Sequence, residues 1–248
     1  MMRTWTAGLT ALGLSLALAG PSWAYKAVAL KGGGTIAGVV KLEGTPPPAK
    51  TIKATKDEKV CGKQPIPNEE LVVGKEGGIR WAVVSLTDIK SGKKWDLPKP
   101  VIDQKGCIYK PHVLVVKPKA RVVALNSDGI LHNLHSYPDE SQKKGGVRGF
   151  NIAQPKFRKK VKLSSRYFKM PGIINLKCDA HPWMSGYIVV AEHPYFAVTD
   201  EKGQFTLSNV PPGTYTLEVW QESLGKTSQK VTVKASEKTS VSVTLKKK

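Results

Sequence analysis

Thr214-Tyr215-Thr216-Leu217-Glu218-Val219-Trp220 puts Tyr215, Leu217 and Val219 on one side of an extended chain and Thr214, Thr216 and Glu218 on the other. A period of two is the signature of a strand with one buried face. The same alternation runs through Gln204-Phe205-Thr206-Leu207 before it, and through Gln229–Val233 and Thr239–Leu245 after it. Half-buried strands in series, joined by short turns, belong to antiparallel sheets stacked as sandwiches. Working toward the N-terminus, further strand signals are Gly186–Ala191, Arg121–Leu125, Val113–Val116, Trp81–Leu86 and Thr35–Leu42. The last of these stops at Gly44 and the Pro46-Pro47-Pro48 run, and the Lys-, Pro- and Gly-rich residues 49–78 read as loop. No stretch beyond the first 24 residues carries helical periodicity, so the chain is predicted to be all-β.

Composition agrees. Of 248 residues, 23 are Gly and 17 Pro, and aromatics make up only 7%, which favours short strands and turns over a helical bundle. With 40% hydrophobic and 23% charged residues, a disordered chain is excluded. Lys and Arg number 39 against 19 Asp and Glu, a formal +20 that points to an anionic partner. The compartment narrows that choice. Arg3, the uncharged apolar run Ala7–Gly20 and the small-x-small Ser22-Trp23-Ala24 read as a signal peptide over residues 1–24. That apolar run is too short to span a bilayer, and no later run is long enough. The mature chain Tyr25–Lys248 is therefore expected to be periplasmic or secreted, with no transmembrane segment after cleavage and no nucleic acid as partner. In an oxidising compartment Cys61 and Cys107 are expected to pair, closing a loop of about 46 residues. Two separate buried thiols are the other reading.

The chemistry concentrates in two places. His132-Asn133-Leu134-His135 follows a strand signal, and Cys178-Asp179-Ala180-His181-Pro182-Trp183-Met184 lies 46 residues beyond His132. A thiolate, two imidazoles and a thioether are the donors of a type 1 copper centre. Cys178 can close one strand, with His181 and Met184 in the turn and Gly186 opening the next. His132 must then arrive from elsewhere in the sandwich. An inert buried thiol, a zinc site and a Cys-His nucleophile use the same residues differently. Methionine is a poor zinc ligand, and ligands three apart on a tight loop suit a shared metal better than a proton-transfer pair.

These residues resemble the cupredoxins, the blue-copper family, over roughly Lys105 to Glu192. The resemblance implies His132, Cys178 and His181 as equatorial ligands and Met184 as axial ligand of one type 1 copper per chain. It also implies that Asn133 ties the two ligand-bearing loops together, and that His181 with its apolar surroundings forms a surface patch for electron entry and exit. Beside His181, Trp183 would shield the metal from water. A second resemblance, to the carboxypeptidase-regulatory-like, or transthyretin-like, β-sandwich, rests on Thr199–Leu207 followed by Val210-Pro211-Pro212-Gly213-Thr214-Tyr215. The Gly-rich opening strand of that family is absent just before residue 195 but matches Gly34-Thr35-Ile36-Ala37-Gly38-Val39-Val40. The expected organisation is thus a Greek-key cupredoxin sandwich, residues 96–192, inserted in or joined to an outer sandwich built from 25–95 and 193–248. The Cys61–Cys107 bridge would staple the two.

Residues 141–170 hold ten bases and no acid, with Phe150, Phe157, Tyr167 and Phe168 interleaved as core anchors. Such a run is either a solvated face or a docking surface for an acidic redox partner. His135, an odd offset from His132, points to the opposite face and is read as structural. His112 is a candidate for a second site, His193 less so. The function read from this set is one-electron transfer between redox proteins, without substrate turnover. A copper carrier or sensor without a redox role is the alternative.

Overall fold

The computed structural model describes residues 25–247, so the expected signal peptide lies outside the described residues. Those residues are all-β, with two short helices, Glu58–Cys61 and Glu140–Lys144, and one 3-10 turn, Ser165–Phe168. Two sandwiches are present. In the first, Phe196–Val198, Val83–Leu86, Gly213–Gln221 and Gly225–Val233 form one sheet in that order, and Gln204–Val210, Gly34–Leu42 and Lys238–Leu245 form the other. Ile36, Val40, Leu207, Leu217, Val219 and Val243 meet between them. The Gly34–Leu42 strand pairs antiparallel with Gln204–Val210 and parallel with Lys238–Leu245, so an N-terminal strand sits at the centre of a C-terminal sheet.

In the second sandwich, Lys160–Lys162, Val123–Asn126, Val101–Gln104 and Tyr109–Lys110 form a four-stranded sheet. It faces Asn151–Gln154, His132–Pro138, Gly172–Lys177, Ser185–Val190 and Val113–Val116. Ile102, Val122, Leu134, Phe168, Ile174, Leu176 and Ile188 fill the space between. The expectation of purely antiparallel sheets needs correction here. Val101–Gln104 runs parallel to Val123–Asn126, and Val113–Val116 parallel to Ser185–Val190. Alternation reports which face is buried and is silent on strand direction.

The sandwiches touch along one seam. Val83, Val113 and Val189 are buried together, flanked by Trp81, Tyr187 and Trp220. The Tyr187 and Trp220 rings meet edge-on at 5.1 Å. Trp220, which breaks the alternation after Val219, therefore packs on the outside of its own sheet against the neighbouring sandwich.

Residues 49–67 differ from their reading as a loop of the outer sandwich, whereas Leu71 and Val73 pack against its core as expected. Thr51–Ile52 pairs with Ile66–Pro67, and the helix Glu58–Cys61 lies between them. Their buried side chains, Ala54, Cys61 and Ile66, join the core of the second sandwich. Cys61 is bonded to Cys107, as the redox argument anticipated. The bridge thus fastens this strap to the second sandwich and does not link one sandwich to the other.

Candidate metal centre

Strand pairing brings the sequence-distant donors together. His132 opens the strand His132–Pro138, and Cys178 directly follows Gly172–Lys177. The two strands pair antiparallel, His135 opposite Lys177, so both residues sit at one end of the sheet. The chain then turns through residues 178–184, closed by the Met184 N–H donating to the His181 carbonyl at 2.9 Å, and re-enters the sheet at Ser185. Cys178 Sγ lies 3.9 Å from His132 Nδ1 and 3.8 Å from His181 Nδ1. The two imidazole rings are 4.6 Å apart. Met184 is fully buried in the same core cluster.

This donor set fits a metal ion. A sulfur at about 2.3 Å and a nitrogen at about 2.0 Å from a shared ion, opened to about 120°, lie about 3.7 Å apart. Both sulfur–nitrogen separations agree with that spacing. Electrostatics agree too. Burial pushes the Cys178 thiol up, but the His132 imidazole and the backbone N–H groups of Asn133 and His181 outweigh it and hold the thiol below its ordinary value. Burial pulls His132 down, but hydrogen bonding to Asp128 and Cys178 raises it to about 8. Burial also pulls His181 down, and there Asp57 does not offset it. A thiol disposed to ionise is what a metal needs, since it binds only deprotonated donors; His132, held up at about 8, must release its proton as the ion binds. His132, Cys178 and His181 are all buried.

Asn133 joins the two donor-bearing segments. Its Oδ1 accepts from the Asp179 N–H at 2.6 Å, and its Nδ2 donates to Asp179 Oδ2 at 2.8 Å and to Asn151 Oδ1 at 2.7 Å. Tyr109, which sequence reasoning missed, adds a second tie. Its buried hydroxyl donates to the carbonyls of Asn133 at 2.6 Å and Lys177 at 2.9 Å. Gly186 makes room for it, because a Cβ there would meet Tyr109 Cβ at 3.1 Å.

Two further residues were missed by sequence reasoning. His132 Nε2 is 2.9 Å from Asp128 Oδ2, and His181 Nε2 is 2.9 Å from Asp57 Oδ2. The expectation of an exposed His181 edge is therefore corrected: the ring is fully buried beneath Asp57, whose own side chain is 40% exposed. Trp183 stacks edge-on over His181 at 5.1 Å and donates to the Cys107 carbonyl at 3.2 Å.

The remaining histidines lie apart from this cluster. His135 is half-buried on the opposite face and pairs with Asp179 at 3.0 Å. His112 pairs with Glu222, and no metal-sized grouping of His, Cys, Asp and Glu among the described residues includes it. His193 contacts the Leu86 carbonyl and accepts from the Tyr195 N–H. In the basic run 141–170 all ten bases are exposed. Phe150 and Phe168 are buried as anchors, but Phe157 stands 82% exposed, contrary to its reading as a core residue.

A family model for the carboxypeptidase regulatory-like domain matches residues 184–246. That range includes Ser185–Val190, a strand of the second sandwich, and leaves out Gly34–Leu42, which pairs with Gln204–Val210. Solved structures similar to the chain include a purple cupredoxin from Nitrosopumilus maritimus, 20% identical, covering 37% of this chain and 99% of that one with a TM-score of 0.29. Amicyanin from Paracoccus versutus is 19% identical, covering 39% of this chain and 86% of that one at 0.28. A copper-containing nitrite reductase from Thermus scotoductus is 20% identical, covering 40% of this chain and 24% of that one at 0.28. No curated protein matches the chain.

Proposed function

We propose that the chain is an exported type 1 copper protein that carries single electrons between redox partners and turns over no substrate of its own. The observation that supports it most is one buried sulfur at 3.8 and 3.9 Å from two buried imidazole nitrogens. His132, Cys178 and His181, together with Met184, would hold the ion. Copper bound there supplies a one-electron couple. The protein's part is to keep the donors in one arrangement for both oxidation states. Asn133 and Tyr109 do so by locking the His132 strand to the Cys178 loop. Burial of every donor excludes water, and Trp183 covers the His181 ring on one side.

Electrons would reach the surface through His181, which lies one side chain beneath it. The exposed bases of 141–170 would steer an acidic partner, raising its encounter rate and making it salt-dependent. The copper sandwich would comprise residues 96–192 with the strap 49–67 packed on it, within an outer sandwich from the rest of 25–95 and from 193–248 that serves as spacer or docking module. Among the described residues no helix is long and apolar enough to cross a membrane. Residues 1–24 would direct the chain to the periplasm or medium. A closed site favours retention of the ion over its delivery to another protein, the alternative role.

The test is retention. Copper-loaded protein, oxidised and then reduced, is challenged with a chelator selective for each oxidation state. An electron carrier keeps one equivalent in both states over many hours. Rapid loss of Cu(I) to the competitor would instead identify a copper carrier.

A further inference from the structure

We propose that Asp57 and Asp128 are paired positioning residues of the metal centre, each aiming one imidazole at Cys178, and that the Cys61–Cys107 disulfide holds both carboxylates in place. This rests on the metal-binding reading above and deepens it. An imidazole has two ring nitrogens, and the partner of one decides what the other can do. Both histidines turn Nδ1 toward Cys178 Sγ, so each ring must carry its proton on Nε2 to bind a metal through Nδ1. Each Nε2 has a carboxylate oxygen at 2.9 Å to receive that proton's hydrogen bond. Carboxylates in this position fix the tautomer, orient the ring and make it a more basic ligand.

The backbone around Asp57 serves this contact. Asp57 begins the helix Glu58–Cys61 with φ 49° and ψ 40°, a left-handed conformation uncommon outside glycine. A residue starting a helix normally turns its side chain back onto the helix N–H groups. Asp57 makes no such bond, and its carboxylate goes to His181, 124 residues away.

One covalent bond serves both carboxylates. Cys61, the last residue of the helix that Asp57 begins, is bonded to Cys107. Cys107, itself at φ 56°, donates its N–H to Asp128 Oδ2 at 2.9 Å, and Gly106 donates to Asp128 Oδ1 at 2.6 Å. The disulfide thus pins the strap that carries Asp57 to the loop that clamps Asp128. A negative charge behind each ring favours the more highly charged ion, so both carboxylates stabilise Cu(II) relative to Cu(I).

The experiment compares wild type with Asp57→Ala, Asp57→Asn, Asp128→Asn and the Cys61→Ser/Cys107→Ser pair. In metal-free protein held above the raised His132 value of about 8, so that both rings are neutral, ¹⁵N chemical shifts report which ring nitrogen of each histidine carries the proton. Wild type is expected to show His132 and His181 both protonated at Nε2. Asp57→Ala mixes the tautomers of His181 alone, Asp57→Asn restores them through its carbonyl, and the double cysteine variant disturbs both rings. With copper alone as ligand, Asp57→Ala lowers Cu(II) affinity about tenfold to a hundredfold. Cu(I) affinity falls less, raising the reduction potential by about 59 mV for each tenfold difference. Asp57→Asn, lacking the charge, keeps the raised potential despite its restored tautomer, which a merely structural role would not produce. A wild-type His181 protonated at Nδ1, or an Asp57→Ala protein with unchanged tautomer and potential, overturns the proposal. The metal-free tautomers decide it even where wild type fails to form a thiolate–copper centre, an outcome that would sink the copper reading by itself.

Discussion

Replacing Asn133 by Ala should loosen the metal end of the sandwich without touching a donor atom. The side chain is buried and makes three hydrogen bonds, to the Asp179 N–H, the Asp179 carboxylate and the Asn151 amide. A net neutral bond contributes about 1 kcal/mol and one to a charged group about 1.5–3 kcal/mol. The Asp179 side chain is 53% exposed, so its share falls at or below the low end of that range. The sum is about 3 kcal/mol, or a melting temperature about 6–12 °C lower for a chain of this size. Thermal unfolding of metal-free protein, followed by circular dichroism at neutral pH, reads it directly. Asn151→Ala is the internal control, since the more exposed Asn151 joins only the Asn133 and Asp179 side chains and should cost less. A melting temperature within about 2 °C of wild type, or a larger loss from Asn151→Ala, would refute the view that Asn133 ties the loops together.

Three other perturbations have defined outcomes. Removing the disulfide with Cys61→Ser and Cys107→Ser frees a loop of 46 residues in the unfolded chain, which on loop entropy costs about 4 kcal/mol; a denaturation midpoint equivalent to less than about 1 kcal/mol of loss would contradict this. Tyr109→Phe keeps the ring but leaves the Asn133 and Lys177 carbonyls without their donor, costing about 1–3 kcal/mol in the same assay; an unchanged midpoint would show that the hydroxyl ties nothing. Asp139 caps the helix Glu140–Lys144 and accepts from Ser141 Oγ and the N–H groups of Gln142 and Ile173. Burial pushes its carboxyl up, but those bonds outweigh it and hold the pKa below the usual range. Its contribution is therefore present above the unfolded carboxylate pKa and lost as pH falls through the lower folded value. Asp139→Ala should cost about 1 kcal/mol at neutral pH and flatten the acid side of the stability curve; stability curves that stay parallel between pH 2 and 7 would contradict it.

What the sequence shows of this fold follows from how burial is distributed. Gly213–Gln221 and Lys238–Leu245 are legible because each has one apolar and one polar face. His132–Pro138 is not, because its buried positions include His132, Asn133 and Ser136, polar residues held by hydrogen bonds that alternation cannot register. The strap over residues 49–67 escapes for another reason. Its buried residues Ala54, Cys61 and Ile66 are sparse and separated by lysines and prolines, so the segment reads as solvated. At the candidate metal centre, the approach of His132, Cys178 and His181 is legible from donor type and spacing. Asp128 lies four residues before His132 and could have been flagged as its partner. Asp57 could not, because only the folded strap, fastened by a disulfide, brings it to His181.

The central claim is that Cys178 and two imidazoles hold one copper ion. Titrating purified mature protein with Cu(II), while recording the visible spectrum of wild type and Cys178→Ser, tests it most directly. The account predicts an intense blue thiolate-to-copper band that saturates at one equivalent and is absent from the variant. A colourless protein that binds copper weakly, or prefers zinc, would contradict it.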